Sequence, residues 1–248
     1  MDLGLSGKAC IVTGATGGIG LATAELLAAE GADVIAVSRS SNDVRADVMD
    51  PDSAERIVSE CESRFGRVDV LVNNAGTMPV ATLEELSDED WQAQWELNVM
   101  ASLRLMRIAA PKMAANGWGR IVNVSSSAGK RASSRNAAYS VTKAAQLSLS
   151  RVFADAYADK GVLVNAVAPG PTATELWTGS GGIAEQVAER SGSTREDELE
   201  AAGAKIPIGR LGTPEEIAAV IVFLCSERAS NVTGASWSAD GGTVPFFI

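Results

Sequence analysis

The stretch Ala9-Cys10-Ile11-Val12-Thr13-Gly14-Ala15-Thr16-Gly17-Gly18-Ile19-Gly20 decides the fold. Ala9–Thr13 is an almost wholly apolar run without polar alternation, which reads as a strand buried on both faces. The glycines that follow let the backbone turn tightly. A helix expected over residues 18–30 starts inside them and stops at Gly31. A strand, a glycine turn and a helix in this order point unpaired N–H groups and the positive end of the helix dipole at one spot, a cradle for a pyrophosphate. The spacing is TGxxxGIG rather than GxGxxG. A glycine-rich turn alone is a weak signal, and between a strand and a helix it is a much stronger one.

Outward from this unit, short β-branched runs alternate with Ala-rich stretches of helical period. Strands are expected over Asp33–Ser38 and residues 44–47, 69–73, 119–125 and 162–167, with a last one at Ser236–Ala239. Helices are expected over residues 51–65, 88–114 and 137–160. The first has Asp50 as its cap and Pro51 at its first position, and Gly161 closes the last. Thr213 with Glu216 forms a capping box for a helix running to about Ser226. Apolar strands alternating with helices predict an α/β fold, a doubly wound parallel sheet covered on both faces, as a single domain over residues 1–248. The six residues between Val37 and Val44 are too few for a crossover helix. Residues 176–206, rich in Gly, Ser and charge, form an excursion long enough to be a lid. Short helices are expected in it over 183–190 and 195–202.

Composition excludes several function classes. With 248 residues, 46% of them hydrophobic, the chain can bury a core without disulfides. Its 31 acidic against 21 basic residues give a net charge of −10, which repels nucleic acid and anionic membranes as main partners. The absence of histidine excludes Ser–His–Asp and Cys–His machinery and any His-ligated metal, so no metal is expected. Cys10, Cys61 and Cys225 are far apart in or near apolar runs, which predicts buried thiols and a reducing, cytoplasmic setting. The first eight residues do not read as a signal peptide, and the apolar run 217–225 falls well short of the ~20 residues that span a bilayer.

Further motifs follow in order. Asn73-Asn74-Ala75-Gly76 closes the fourth strand, Leu97-Asn98-Val99 lies in the long helix, and Ser125-Ser126 ends the fifth strand. Tyr139-Ser140-Val141-Thr142-Lys143 opens the next helix, and Pro169-Gly170 ends the sixth strand, with Thr172 and Thr174 just beyond. Gly209-Arg210-Leu211-Gly212-Thr213-Pro214-Glu215-Glu216 and Asp240-Gly241-Gly242 complete the set. Together these motifs resemble the short-chain dehydrogenase/reductase family over nearly the whole chain, and the pattern is close to that of 3-oxoacyl-carrier-protein reductases. The resemblance implies a Rossmann-type fold. It also implies an oxidoreductase that interconverts a carbonyl and a secondary alcohol by hydride transfer with a nicotinamide cofactor, possible substrates including a 3-oxoacyl thioester.

Tyr139 and Lys143 are four apart on a helix and share a face. A lysine ammonium nearby favours the phenolate and is expected to lower the tyrosine pKa, making Tyr139 a general acid/base. Ser126 stands thirteen residues before Tyr139, the separation the family uses for its catalytic serine, whose hydroxyl donates to the substrate oxygen. Strand alternation is expected to turn Ser125 and Ser127 to the other face. By resemblance, the helix is kinked at Asn98, whose carbonyl holds a water that links Lys143 to solvent.

The resemblance assigns cofactor binding to Gly14, Thr16, Gly17, Gly18, Ile19, Gly20, Ser38, Arg39, Asp47, Val48, Asn74, Ala75, Gly76, Tyr139, Lys143, Pro169, Gly170, Thr172 and Thr174. At the end of the second strand Ser38-Arg39 replaces the acidic residue that accepts a ribose 2′-OH, and a guanidinium pairs with a 2′-phosphate. NADP(H) is therefore expected, with Arg45 as a second partner. NAD(H) is the alternative, because Gly17 stands where many NADP-preferring members carry Arg or Lys. Substrate walls are expected from Met78, the 127–136 loop and the lid, with Trp177 at its start. Lys130, Arg131 and Arg135 form a basic cluster that fits an acyl carrier protein or coenzyme A. The apolar tail Val244-Pro245-Phe246-Phe247-Ile248 is expected at a subunit contact of a homotetramer, the usual assembly of the family. The rival readings are an NAD-preferring alcohol dehydrogenase and a non-catalytic nucleotide-binding sensor. A non-redox lyase of this fold would lack the glycine loop, which is present.

Overall fold

The computed structural model describes residues 1–245; Phe246, Phe247 and Ile248 of the expected subunit contact lie outside them. Among the described residues seven strands form one sheet in the order β3-β2-β1-β4-β5-β6-β7, every neighbouring pair parallel. They are β1 (Ala9–Thr13), β2 (Asp33–Ser38), β3 (Val44–Arg45), β4 (Val70–Asn73), β5 (Gly119–Val124), β6 (Val162–Pro169) and β7 (Ser236–Ala239). The winding reverses between β1 and β4, which opens a crevice beyond their carboxyl ends.

Side chains alternate across the sheet and build a core on each face. Ile11, Ile35, Leu71, Ile121 and Val164 face α2 (Ser53–Phe65), α4 (Ala101–Ala115) and α6 (Ala137–Tyr157). Cys10, Val12, Val72, Val122 and Val167 face α1 (Gly18–Ala29) and α10 (Pro214–Cys225). Each fully buried Ile or Leu contributes about 1.5–3 kcal/mol relative to exposure. The three cysteines are free and buried, and burial pushes the Cys61 and Cys225 thiols up to about 12.

Several expected boundaries move, four of them with a local cause. Helix α2 begins at Ser53, not Pro51. The Asp50 carboxylate accepts from the Asp52 N–H at 3.1 Å and its carbonyl from the Ser53 N–H at 3.0 Å, so Asp50 shapes a turn ahead of the helix rather than capping it. Strand β3 is two residues long, because the chain turns at Asp47, whose carboxylate accepts from the Met49 N–H. The expected helix over 88–114 is three pieces: α3 (Asp88–Trp95), a π-helical segment (Glu96–Met100) and α4. Helix α6 tightens to a 3-10 turn over Ala158–Lys160 before Gly161. Thr213 and Glu216 do form a capping box. Two short helices were not expected, α5 (Ser127–Lys130) and α7 (Glu175–Thr178). After α7, the lid continues with α8 (Ile183–Ser191) and α9 (Arg195–Ala204). Among the described residues no helix is long and apolar enough to cross a membrane.

Candidate active site

The glycine loop is held from below. Thr13 Oγ1 accepts from the N–H groups of Asn74 at 3.0 Å and Ala75 at 3.1 Å. Asn74 Nδ2 donates to the carbonyls of Thr13 at 3.0 Å and Gly14 at 3.2 Å. These bonds lock the ends of β1 and β4 together. Gly14 adopts a left-handed φ of +67°, and a Cβ on Gly20 would overlap the Gly14 carbonyl oxygen and the Asn74 amide nitrogen. Helix α1 has no side-chain cap, in contrast with the capping boxes of α3, α9 and α10. Its first N–H groups are open to the cleft, and the space beside Gly17 is empty out to 4 Å. That arrangement fits a pyrophosphate.

A cleft of about 340 Å³ runs from Gly14, Gly17, Gly18 and Ile19 past Asn74, Ala75 and Gly76 to Ser126, Tyr139 and Lys143. Pro169, Gly170, Thr172 and Thr174 close the far wall together with Trp177, and Met78 lines the near one. Ser126 leaves β5 in extended backbone and becomes the N-cap of α5, its Oγ accepting from the Ala128 N–H at 3.1 Å. Helix α6 starts beside it and presents Tyr139 and Lys143 one turn apart.

Lys143 is 2% exposed, and its Nζ donates to the Val124 carbonyl at 2.8 Å and to Gln146 Oε1 at 3.1 Å. Burial brings its pKa down to about 7. The sequence expectation that Lys143 lowers the Tyr139 pKa needs correction for the unliganded site. Burial raises Tyr139, and a hydrogen bond with Ser126 pulls it partly back. The ammonium lies 5.6 Å from the centre of the tyrosine ring.

Asn98 is fully buried in the π-helical segment, where its Nδ2 donates to Gln94 Oε1 at 3.0 Å and Thr142 Oγ1 at 3.1 Å. Its carbonyl, expected to hold a water, lies 3.5 Å from the Ser102 hydroxyl. Its Oδ1 is buried without a hydrogen-bond partner among the described residues. A Cβ on Gly76 would lie 3.1 Å from that oxygen and 3.5 Å from Lys143 Nζ, so Asn98 and Lys143 converge beneath Gly76.

The other expected residues lie apart from the cleft lining. Gly20 is buried under the loop and Thr16 is exposed at its tip. Ser38 pairs in register with Arg45, and both Arg39 and Arg45 are exposed. Asp47 is exposed, while the Val48 side chain belongs to the core. The Thr174 methyl sits 2.9 Å from where a Cβ on Gly18 would be, bringing the base of the lid against the glycine loop.

Three groups that pattern reading missed bear on the site. Ser125 Oγ donates to the Lys143 carbonyl at 2.8 Å, the Val124 carbonyl accepts from Lys143, and so does Gln146. The expectation that strand alternation turns Ser125 and Ser127 to the other face needs correction: β5 ends at Val124, Ser127 opens α5, and both serines line the cleft with Ser126, Ser125 tethering the lysine's own turn. Gln146, three residues after Lys143, is a polar residue on the buried face of α6, and spacing alone did not single it out. The basic cluster divides: Lys130 Nζ donates to the Ser236 carbonyl at 2.8 Å and Ser238 Oγ at 3.0 Å, while Arg131 and Arg135 are exposed.

A family model described as enoyl-(acyl carrier protein) reductase matches residues 14–244. The D-beta-hydroxybutyrate dehydrogenase of Cupriavidus necator is 36% identical over 97% of this chain and 99% of its own. The 3-oxoacyl-[acyl-carrier-protein] reductase of Thermotoga maritima is 35% identical over 97% of this chain and 99% of its own. The solved structure of L-sorbose reductase from Gluconobacter frateurii, complexed with NADPH and L-sorbose, matches with a TM-score of 0.92 at 36% identity, covering 100% of both chains.

Proposed function

The chain belongs to the short-chain dehydrogenase/reductase family, enzymes that interconvert CH–OH and C=O groups with a nicotinamide cofactor, and on that premise we propose that it is an NADP(H)-dependent carbonyl reductase with Tyr139 as its general acid/base. The observation that carries this reading is the convergence of Ser126, Tyr139 and Lys143 on one cleft beside the uncapped glycine turn.

In the reduction direction the substrate oxygen sits between the hydroxyls of Ser126 and Tyr139, where negative charge develops. Ser126 donates to that oxygen. Tyr139 gives it a proton, and burial keeps the phenol protonated beforehand. The Lys143 ammonium stabilises the phenolate that remains. Asn98 fixes the neighbouring helix turn through Gln94 and Thr142. The bound cofactor supplies the hydride chemistry. Its pyrophosphate would be held at residues 14–20, its adenine edge at Asp47 and Val48, and its nicotinamide end by Asn74, Ala75, Gly76, Pro169, Gly170, Thr172 and Thr174.

The choice of NADP(H) rests on Arg39 and Arg45. Among the described residues neither side chain makes a hydrogen bond or ion pair, so both guanidinium groups are free for a 2′-phosphate. One such bond, worth roughly 1.5–3 kcal/mol, gives about 10–150-fold preference. Arg39→Ala is expected to lower the ratio of kcat/KM for NADPH over NADH by about tenfold or more. An unchanged ratio contradicts NADP(H) selection by Arg39 and favours the NAD(H) alternative.

The substrate is a small ketone or secondary alcohol shaped by Met78, Trp177 and the lid. Commitment of Lys130 to β7 leaves two cations where a carrier protein was expected to dock, which favours a free hydroxyketone over a carrier-bound thioester. NADPH oxidation with L-sorbose, acetoacetate and a short 3-oxoacyl thioester separates these. Turnover confined to the thioester contradicts the hydroxyketone reading, and turnover with none of the three moves the substrate to another carbonyl. The assembly we propose is a homotetramer in the cytoplasm.

A further inference from the structure

An ammonium has three donors and no acceptor, and a buried one is costly unless oxygens surround it. Val124 gives Lys143 a backbone oxygen fixed by the sheet. The second oxygen comes from a side chain, Gln146 Oε1 at 3.1 Å. We propose that Gln146 is a positioning residue for the reaction, holding the Lys143 ammonium in place between β5 and the Ser102 hydroxyl of α4. The proposal rests on the reading of Tyr139 and Lys143 as the acid/base pair.

A glutamine amide presents its oxygen to a cation only if its nitrogen is engaged elsewhere. Gln146 Nε2 donates to Ser102 Oγ at 3.0 Å, which leaves Oε1 for Lys143. The turn that carries Gln146 is itself anchored. Its carbonyl accepts from Ser150 Oγ at 2.8 Å, Ser150 accepts from Asn123 Nδ2 at 2.8 Å, and Asn123 Oδ1 accepts from Asn73 Nδ2 at 2.7 Å. All these residues are at most 5% exposed. A leucine at 146 would suit a buried helix face and avoid the entropy and desolvation cost of an amide. The glutamine links the two ends of this ladder to the lysine.

Among the described residues no carboxylate from a neighbouring element offsets the ammonium. Helix α6 contributes Tyr139, β5 contributes Val124, the residue after it is Ser125, and the π-helical segment and α4 contribute Asn98 and Ser102. Glu96 of the π-helical segment is paired with Arg104 at 2.8 Å, and Lys130 of α5 turns to β7. Burial lowers the Lys143 pKa, and an oxygen at 146 that accepts from the ammonium favours the charged form against it.

The test is the pH profile of carbonyl reduction by the NADPH-loaded enzyme, using the most rapidly reduced compound of the three named above. Gln146→Leu is expected to lower kcat about tenfold or more. It should also move the alkaline limb, where Lys143 loses its proton, to lower pH by about one unit. Gln146→Glu is expected to move that limb to higher pH, because a carboxylate favours the ammonium. Ser102→Ala should act in the direction of Gln146→Leu but more weakly. In the unliganded protein the same shift is readable without turnover, as the pH above which urea stability begins to rise. If Gln146→Leu does not fold, the direction given by Gln146→Glu and Ser102→Ala decides. The proposal is overturned by a folded Gln146→Leu with wild-type kcat and an unmoved limb, or by limbs that move the same way in the Leu and Glu variants. Tyr139→Phe separates the two levels: full turnover there removes the acid/base reading itself, and lost turnover beside an unmoved Gln146 limb removes only this inference.

Discussion

A buried lysine without a carboxylate is an expensive residue, and Lys143 is held by two neutral oxygens, those of Val124 and Gln146. Burial takes its pKa from 10.5 to about 7. Between those values the unfolded chain binds one more proton than the folded chain, so this group makes stability rise with pH across that window. For the unliganded protein, the unfolding free energy of wild type minus that of Lys143→Met is expected to be flat below about 7. It then climbs by up to about 1.4 kcal/mol per pH unit toward 10.5. Urea titrations at stepped pH measure it, and a flat or falling difference contradicts the burial account. At this scale the sequence carried the site well. YxxxK spacing put two side chains on one helix face whatever the surroundings. The balance of charge and desolvation was not legible, because it depends on which oxygens the third dimension brings to the ammonium. Ser125 and Gln146 were missed for the same reason.

At the scale of elements, the lid and the broken helix decide the shape of the cleft. Helix α8 is tied across to the segment before α3 by Arg190 and Glu85, 2.9 Å apart and about half exposed, at 47% and 51%. An exposed pair of this kind is worth ~0–1 kcal/mol and is screened by salt. Arg190→Ala is therefore expected to change kcat or KM by no more than about fivefold at low ionic strength, and not at all at high salt. Kinetics of both proteins at two salt concentrations test this, and an effect that survives high salt rules out the ion pair as its source. The two longer lid helices were visible from their amphipathic runs. The π-helical segment falls where the resemblance placed a kink, at Asn98, but periodicity alone did not show it, because its hydrogen bonds follow from packing Asn98 against Gln94 and Thr142. The start of α2 shifted because an Asp at position 50 serves a turn as readily as a cap.

For the whole molecule, the sheet order follows from the alternation of buried strands and helices, and it fixes the crevice at the reversal between β1 and β4. What alternation does not reveal is what covers the outer helices. Trp95 on α3 is 38% exposed, and Val141 and Val152 on α6 are 48% and 60% exposed. In the proposed tetramer these side chains are expected to meet a second copy. Size-exclusion chromatography with light scattering at low micromolar concentration is expected to give four chains, and a monomer contradicts the assembly.

The most direct test of the central claim is NADPH oxidation by the purified protein against the carbonyl panel, wild type beside Tyr139→Phe. Loss of the general acid is expected to cut kcat by about 10²–10⁴-fold while NADPH still binds. Wild-type turnover in the Tyr139→Phe protein would contradict the claim that this phenol moves the proton.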